Sequence, residues 1–193
     1  MKKILVINAH PKADSFCTAL ADKYTEGAKK SGNEVKTLNL KDLNLEPFLK
    51  FEYKDNPILT PDLLQARELI AWSDHLVFVY PNWWAMPPAL LKVFFEIVFG
   101  SGFAFKYKDS KGGPPQWDRL LPNKSSRIIV TMDSPTWYYN WLVGDPGFKM
   151  MKTNLQFCGI TPVTKNYFGS VKGASDEQRK KWLEEAYAIG GKE

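Results

Sequence analysis

Short, wholly apolar runs alternate along the chain with longer stretches in which apolar residues recur every three or four positions. Ile4-Leu5-Val6-Ile7 opens the series, and Leu76-Val77-Phe78-Val79 stands at its middle. Runs of this length, rich in β-branched and aromatic residues, suit strands buried on both faces, as in a parallel sheet. The pattern predicts strands over Lys3–Asn8, Glu34–Asn39, Leu76–Val79, Arg127–Met132 and Thr161–Phe168. Helices fall between them. The first begins at Asp14 or Ser15, either of which can cap it, carries Phe16, Leu20, Tyr24 and Ala28, and stops at Ser31-Gly32. Thr60-Pro61-Asp62 opens another, with a cap, a proline in the first turn and an acid near the positive end. A third has Pro88 in its first turn. It sets Leu90, Leu91, Phe94, Phe95, Val98 and Phe99 on one stripe and Lys92 and Glu96 on another. Gly147–Phe157 is a fourth, closed by Gly159, and Ser175-Asp176-Glu177-Gln178 is a capping box for the last.

Strands alternating with helices give a doubly wound α/β sheet, with right-handed crossovers and helices on both faces. For five parallel strands the expected order is 2-1-3-4-5, which puts the switch point between strands one and three. Ligands of such sheets bind beyond the carboxyl ends of the strands. Three loops should gather there: His10–Ser15, Pro81–Pro87 and Asp133–Tyr139. Two long segments, Leu40–Leu59 and the glycine- and proline-rich Gly100–Lys124, read as irregular connections, which in compact domains are usually functional or flexible. The 193 residues suffice for one sizeable core, and no break in composition marks a second, so residues 1–193 are read as a single domain.

The net charge of +5 shifts this picture only slightly. Lysines are scattered among acids, and the densest run, Arg179-Lys180-Lys181, reads as a solvated helix face and not as a nucleic-acid surface. A mild positive field favours anionic cofactors. No apolar run reaches the roughly 18 residues of a membrane span, and no signal peptide is evident, so a cytoplasmic protein without membrane insertion is expected. Cys17 and Cys158 are the only cysteines, and His10 and His75 the only histidines. That inventory disfavours a disulfide framework, a metal site and a cysteine protease.

The loops carry the chemistry. The first has neither G-x-G-x-x-G nor a P-loop sequence. It ends at a helix N-terminus, where free backbone N–H groups can hold a phosphate. Ser15 can add a hydroxyl, and His10 and Lys12 positive charge; an ordinary capped helix is the alternative. The other two, Pro81-Asn82-Trp83-Trp84-Ala85-Met86-Pro87 and Asp133-Ser134-Pro135-Thr136-Trp137-Tyr138-Tyr139, offer flat aromatic walls with few acids or bases. Adjacent tryptophans cannot both face one core, and packing against a neighbouring chain or segment is the plain alternative reading. Ser134 has no evident histidine partner, which disfavours hydrolysis. A phosphate grip beside an aromatic slot suits a flavin or a nucleotide.

These segments resemble a known family. Ala9-His10-Pro11-x-x-x-Ser15-Phe16 is similar to the first flavin-binding loop of the NAD(P)H:quinone oxidoreductases, which have a flavodoxin-like fold. Pro81 to Lys92 resembles their isoalloxazine-binding loop and following helix, and Gly102-Phe103-Ala104-Phe105-x-Tyr107 and Phe157-Cys158-Gly159 resemble further segments. The likeness is closer to the bacterial branch. Animal members carry two threonines and two glycines where this chain has Thr131-Met132-Asp133-Ser134. The resemblance implies flavin contacts from His10, Ser15, Phe16 and Cys17, from Pro81, Asn82, Trp83, Trp84 and Ala85, and from Thr131, Met132, Asp133 and Ser134. It implies catalytic roles for Trp84 and Tyr139 as walls of the substrate slot. Tyr139 matches the tyrosine of the animal enzymes' tyrosine–histidine pair, and Asp145 lies roughly where the histidine would be. The implied cofactor is FAD, with FMN as the alternative, and the donor NAD(P)H. The implied reaction is two-electron, ping-pong reduction of a quinone or similar acceptor by a homodimer. A flavodoxin-type electron carrier, a regulatory subunit of a membrane transporter and a nitro- or azoreductase remain as alternatives.

Overall fold

The computed structural model describes residues 1–48, 59–109 and 112–193. Residues 49–58, in the expected Leu40–Leu59 connection, and 110–111, in the expected Gly100–Lys124 connection, lie outside the described residues. In chain order the elements are β1 (Lys3–Asn8), α1 (Phe16–Lys30), β2 (Glu34–Asn39), α2 (Pro61–Trp72), β3 (His75–Pro81) and α3 (Ala89–Val98). There follow β4 (Phe105–Tyr107), β5 (Trp117–Arg119), β6 (Ser125–Thr131), α4 (Pro146–Cys158), β7 (Val163–Phe168) and α5 (Asp176–Gly190).

The main sheet has the order β2-β1-β3-β6-β7, and every pairing in it is parallel. Counting only its own strands, this is the expected 2-1-3-4-5 of a flavodoxin-like fold. β3 lies at the centre and is buried along its whole length, which is why its sequence shows no polar alternation. Side chains leave the sheet alternately. Ile4, Val6, Val77, Val79 and Ile129 join a core under α1 and α5; Leu5, Ile7, Leu76, Phe78, Ile128 and Val130 join the core under α2, α3 and α4. The helices therefore cover both faces. No helix of the described residues is long and apolar enough to cross a membrane.

Several boundaries differ from the sequence reading. Pro88 stands just before α3 with extended backbone (ψ 153°), and helical geometry begins at Ala89. Met132 falls outside the β6 ladder yet still donates its N–H to the Phe168 carbonyl at 2.9 Å. The Gly100–Lys124 segment is not wholly irregular: β4 and β5 pair as an antiparallel ribbon separate from the main sheet. The ribbon docks on α4, where the Trp117 indole stacks on Phe157 (centroids 4.5 Å apart) and donates to the Phe157 carbonyl at 3.0 Å.

Candidate functional site

The pairings Asn8↔Val79 and Pro81↔Thr131 align the carboxyl ends of β1, β3 and β6. The loops that leave these ends therefore start side by side. The loop after β1 is tied down by Asn8, whose Oδ1 accepts from the His10 N–H (3.1 Å) while its Nδ2 donates to Thr18 Oγ1 (3.0 Å). His10 Nδ1 accepts from the Lys12 N–H at 3.0 Å. Burial lowers the His10 pKa, opposed by the Lys12 amide bond and aided by the Lys12 charge, which favours the neutral ring, and because Nδ1 accepts that amide its proton sits on Nε2. His10 thus brings a donor and not the full positive charge that the sequence suggested. Lys12 sits on the surface beside Asp14, at 3.3 Å.

Ser15 caps α1: its Oγ accepts the Thr18 N–H at 3.2 Å. The amides of Phe16 and Cys17 open the helix, at the positive end of its dipole, where an anion is favoured. Their side chains point elsewhere. The Phe16 ring packs on Trp182, with the Arg179 guanidinium over it. The Cys17 thiol is buried against Thr131 Oγ1 at 3.2 Å, and burial pushes its pKa up to about 12. Cys17 therefore offers the site a backbone amide and not a thiolate.

The loop after β3 makes a tight turn. Trp83 and Met86 exchange backbone hydrogen bonds, both 3.0 Å. Trp84 and Ala85 between them have φ of 52° and 62°, both left-handed, as in a type I′ turn. Asparagine and glycine are the usual residues there; a left-handed residue with a Cβ costs about 1–2 kcal/mol. At the tip the Trp84 side chain is 100% exposed. Trp83 is half exposed and meets the His10 ring edge-on at 5.7 Å, which joins the first two loops. Asn82 donates its N–H to the Thr131 carbonyl at 2.7 Å, joining the second loop to the third. Its Oδ1 is buried without a partner among the described residues, an acceptor that a ligand N–H or a water would satisfy. Among the described residues the amides of Trp84 and Ala85 also have no partner.

After β6 the chain crosses Gly169, where an added Cβ would lie 2.9 Å from the Ser134 carbonyl oxygen, and that oxygen accepts from the Ser170 N–H. Asp133 accepts from the Lys172 N–H at 3.1 Å, and Trp137 further along the loop is exposed. One π-helical turn, Tyr138–Leu142, follows. Tyr139 turns inward and is 3% exposed. Its hydroxyl donates to the Ala85 carbonyl (2.9 Å) and accepts from the Gly147 N–H (3.0 Å). Burial raises its pKa to about 12. Tyr139 is thus placed beneath the Trp84–Ala85 turn and not as an open wall beside it. Asp145, also left-handed at φ 58°, is buried between Lys165 and the Tyr167 hydroxyl.

The structure brings the loops carrying His10, Ser15, Asn82, Trp83, Trp84, Ala85, Asp133 and Ser134 together beyond the carboxyl ends of the strands, and it buries Pro81, Thr131 and Met132 beneath them. It turns the side chains of Phe16 and Cys17 away. Sequence reasoning passed over Asn8, Gly147, Lys165 and Tyr167, which set the loops. Only Asn8, a polar residue closing an apolar strand, carried a signal. A separate groove between α3, the β4–β5 ribbon and α4, lined by Phe95, Phe99, Phe105, Met150 and Phe157, lies away from these loops.

Residues 2–189 match the family described as flavodoxin-like fold. An uncharacterized NAD(P)H oxidoreductase of Haemophilus influenzae is 30% identical over 186 residues, which cover 93% of this chain and 90% of that one. The rat NAD(P)H dehydrogenase [quinone] 1 is 25% identical, over 95% of this chain and 74% of the relative. Among solved structures, a Streptococcus mutans protein superposes with a TM-score of 0.84 at 31% identity, covering 99% of this chain and all (100%) of that one. An FMN-dependent NADH-azoreductase of Bacillus anthracis, solved with FMN, superposes with a TM-score of 0.74 at 18% identity, covering 100% of this chain and 99% of the other.

Proposed function

The chain belongs to the flavodoxin-like fold family, and from that premise we propose that it is a flavin-dependent NAD(P)H oxidoreductase that reduces quinones or similar acceptors. The observation that carries this reading is the Trp84–Ala85 turn. A left-handed non-glycine pair stands at the sheet's switch point, with a fully exposed indole and two amides that have no partner among the described residues. Strain held at such a place is a mark of a binding site. The residues fit a flavin. The α1 amides, Ser15 and the His10 ring Nε2–H suit its phosphate, and the Trp84 and Ala85 amides with the Asn82 acceptor suit the polar edge of its ring. A flavin held there would supply the redox chemistry, taking a hydride from NAD(P)H and passing two electrons to an acceptor. The chain's own part is to place donors where negative charge develops and to cover the ring with aromatic side chains that exclude water.

FMN is favoured over the FAD that the sequence resemblance implied. The azoreductase relative is named for FMN, and the phosphate grip at α1 suits a mononucleotide without further contacts. The alternating use of one aromatic slot by nicotinamide and then quinone gives ping-pong kinetics. We place the protein in the cytoplasm, where its two free, buried cysteines remain reduced. We assign a homodimer, with the exposed indoles of both aromatic loops at the contact. The visible spectrum of the purified protein and chromatography of the released flavin test the cofactor. Stopped-flow mixing with NADH or NADPH, then with a quinone, tests the reaction: bleaching and recovery of flavin absorbance are expected. A colourless protein that takes up no flavin would refute the reading. Flavin that no nicotinamide reduces, but a reductase protein does, would make the chain an electron carrier.

A further inference from the structure

We propose that Tyr139 is a positioning residue: its hydroxyl clamps the strained Trp84–Ala85 turn from below and exchanges no proton with bound molecules. The inference rests on the flavin-site reading for its kinetic consequence, and on geometry alone for the clamp. The hydroxyl's single proton goes to the Ala85 carbonyl, and it accepts from the Gly147 amide. At 3% exposure it presents no face to the crevice. The residue is itself held at its backbone, where the Tyr139 carbonyl accepts the Asp145 N–H at 3.1 Å. Asp145 is anchored in turn by Lys165 and Tyr167, and the Tyr167 ring meets the Tyr139 ring edge-on at 5.8 Å. A continuous chain of contacts therefore runs from edge strand β7 to the tip that carries Trp84.

Gly147 belongs to the same device. A Cβ there would stand 2.7 Å from the Tyr139 hydroxyl oxygen and 3.2 Å from the Ala85 carbonyl oxygen. Only glycine lets the start of α4, the phenol and the turn meet. Two left-handed residues with Cβ atoms would otherwise relax toward commoner backbone geometry, so the clamp maintains what local preference opposes.

Chemistry and clamping by the hydroxyl predict different results. The variants are Tyr139→Phe, Gly147→Ala, and Tyr139→Phe combined with Ala85→Gly, which puts the residue preferred in a type I′ turn where φ is positive. Amide hydrogen exchange at Trp83 and Met86 in the flavin-free protein reads the turn directly. If the clamp operates, Tyr139→Phe speeds that exchange and raises KM for NAD(P)H and quinone about 3- to 10-fold, as loss of one such bond implies. The limiting rate of flavin reduction at saturating NAD(P)H stays within about twofold. Gly147→Ala does the same although the hydroxyl remains, and Ala85→Gly restores exchange and KM in the Tyr139→Phe background. A limiting rate that falls about tenfold or more in Tyr139→Phe, unrestored by Ala85→Gly, would assign the hydroxyl to chemistry and overturn the proposal. Unchanged exchange in Gly147→Ala would also overturn it. Should Tyr139→Phe fail to fold, Gly147→Ala carries the test. If the wild type binds no flavin the functional reading fails, and the exchange data still decide the clamp.

Discussion

Trp84 concentrates the conflict between stability and function in one residue. Its side chain contributes nothing to the core, and its backbone sits at φ 52°. Trp84→Gly removes the Cβ from that left-handed position. We expect the variant to gain up to about 1 kcal/mol of stability, a rise in Tm of roughly 2–4 °C for a chain of this size, and to bind NAD(P)H and quinone more weakly. A fall in Tm would mean that the indole is doing structural work absent from this monomer. His75 presents the opposite case, a buried group with no role at the crevice. Its Nδ1 lies 2.7 Å from Ser125 Oγ, while its Nε2 is 3.6 Å from Glu193 Oε1, too long for a hydrogen bond. Burial pulls its pKa from 6.5 to about 4, although Glu193 pushes it upward; the nearby Lys2 and Arg127 add to the lowering. The folded state therefore keeps the ring neutral while the unfolded chain takes up a proton below about pH 6.5. The stability is fully present above that pH and is lost as pH falls toward 4. Between pH 7.5 and 5 this single group should cost about 2 kcal/mol. Urea unfolding of the wild type and His75→Gln at both pH values isolates it: the variant should lose less on acidification by about that amount. Equal losses in both would show that the ring is not held neutral.

Among the elements, the α1–α5 crossing is the tightest joint. A Cβ on Gly27 would lie 2.0 Å from the Tyr187 carbonyl oxygen, and one on Gly190 would lie 2.1 Å from that of Tyr24. Both obstacles are backbone, so the helices themselves would have to part. Gly27→Ala should cost about 1–3 kcal/mol by overpacking, in spite of alanine's better helix propensity, and should leave flavin affinity unchanged, because the joint is remote from the three loops. A variant as stable as the wild type would mean that the helices separate freely. Neither glycine was singled out in the sequence, since each reads there as a weak helix residue. What was legible had strong local signals. The inner strands β1, β3 and β6 announced themselves by uninterrupted apolar runs, whereas the edge strands β2 and β7 are mostly polar. Ser15 and Ser175 were legible caps, and their side chains accept the Thr18 and Gln178 N–H groups. The β4–β5 ribbon was not, because three-residue strands are too short to show a period and their stability comes from Trp117 and Phe157, forty positions apart. The site divided along the same line. Which loops converge followed from topology. Which side chains face the crevice did not: Phe16 reads as a flavin contact and Tyr139 as an aromatic wall in a string of letters, and contacts with Trp182, Ala85 and Gly147 turn them away from it.

On the scale of the molecule, the same loops leave an apolar surface larger than a crevice can use. Trp83, Trp84, Trp137, Tyr138, Trp141 and Leu142 are all exposed, the last two at 81% and 70%. No charged residue falls within Asn82–Met86 or Pro135–Gly144. At roughly 150–250 Å² for each large aromatic side chain, such a belt amounts to several hundred Å², at the upper end of what monomers expose. Depletion of charge with enrichment of tryptophan and tyrosine is the composition of an interface centre. The net charge of +5 opposes self-association only where the lysines lie, which is outside these two stretches. Tyr139 joins both stretches to one rigid support, so a partner that covers one would meet the other as well. A second copy of the chain, placed there, would bury the excess indoles and narrow the entrance over Trp84. Sedimentation velocity of the flavin-bound protein should therefore show a dimer at micromolar concentration, little weakened by salt because the contact is apolar. Trp141→Glu removes a side chain that the monomer fold does not use and puts a charge at the contact. It should weaken the dimer at least about 30-fold while preserving the melting profile of the monomer. A wild type that stays monomeric with flavin bound, or a Trp141→Glu variant that sediments identically to it as a dimer, would remove this belt from the assembly and leave its indoles to the substrates alone.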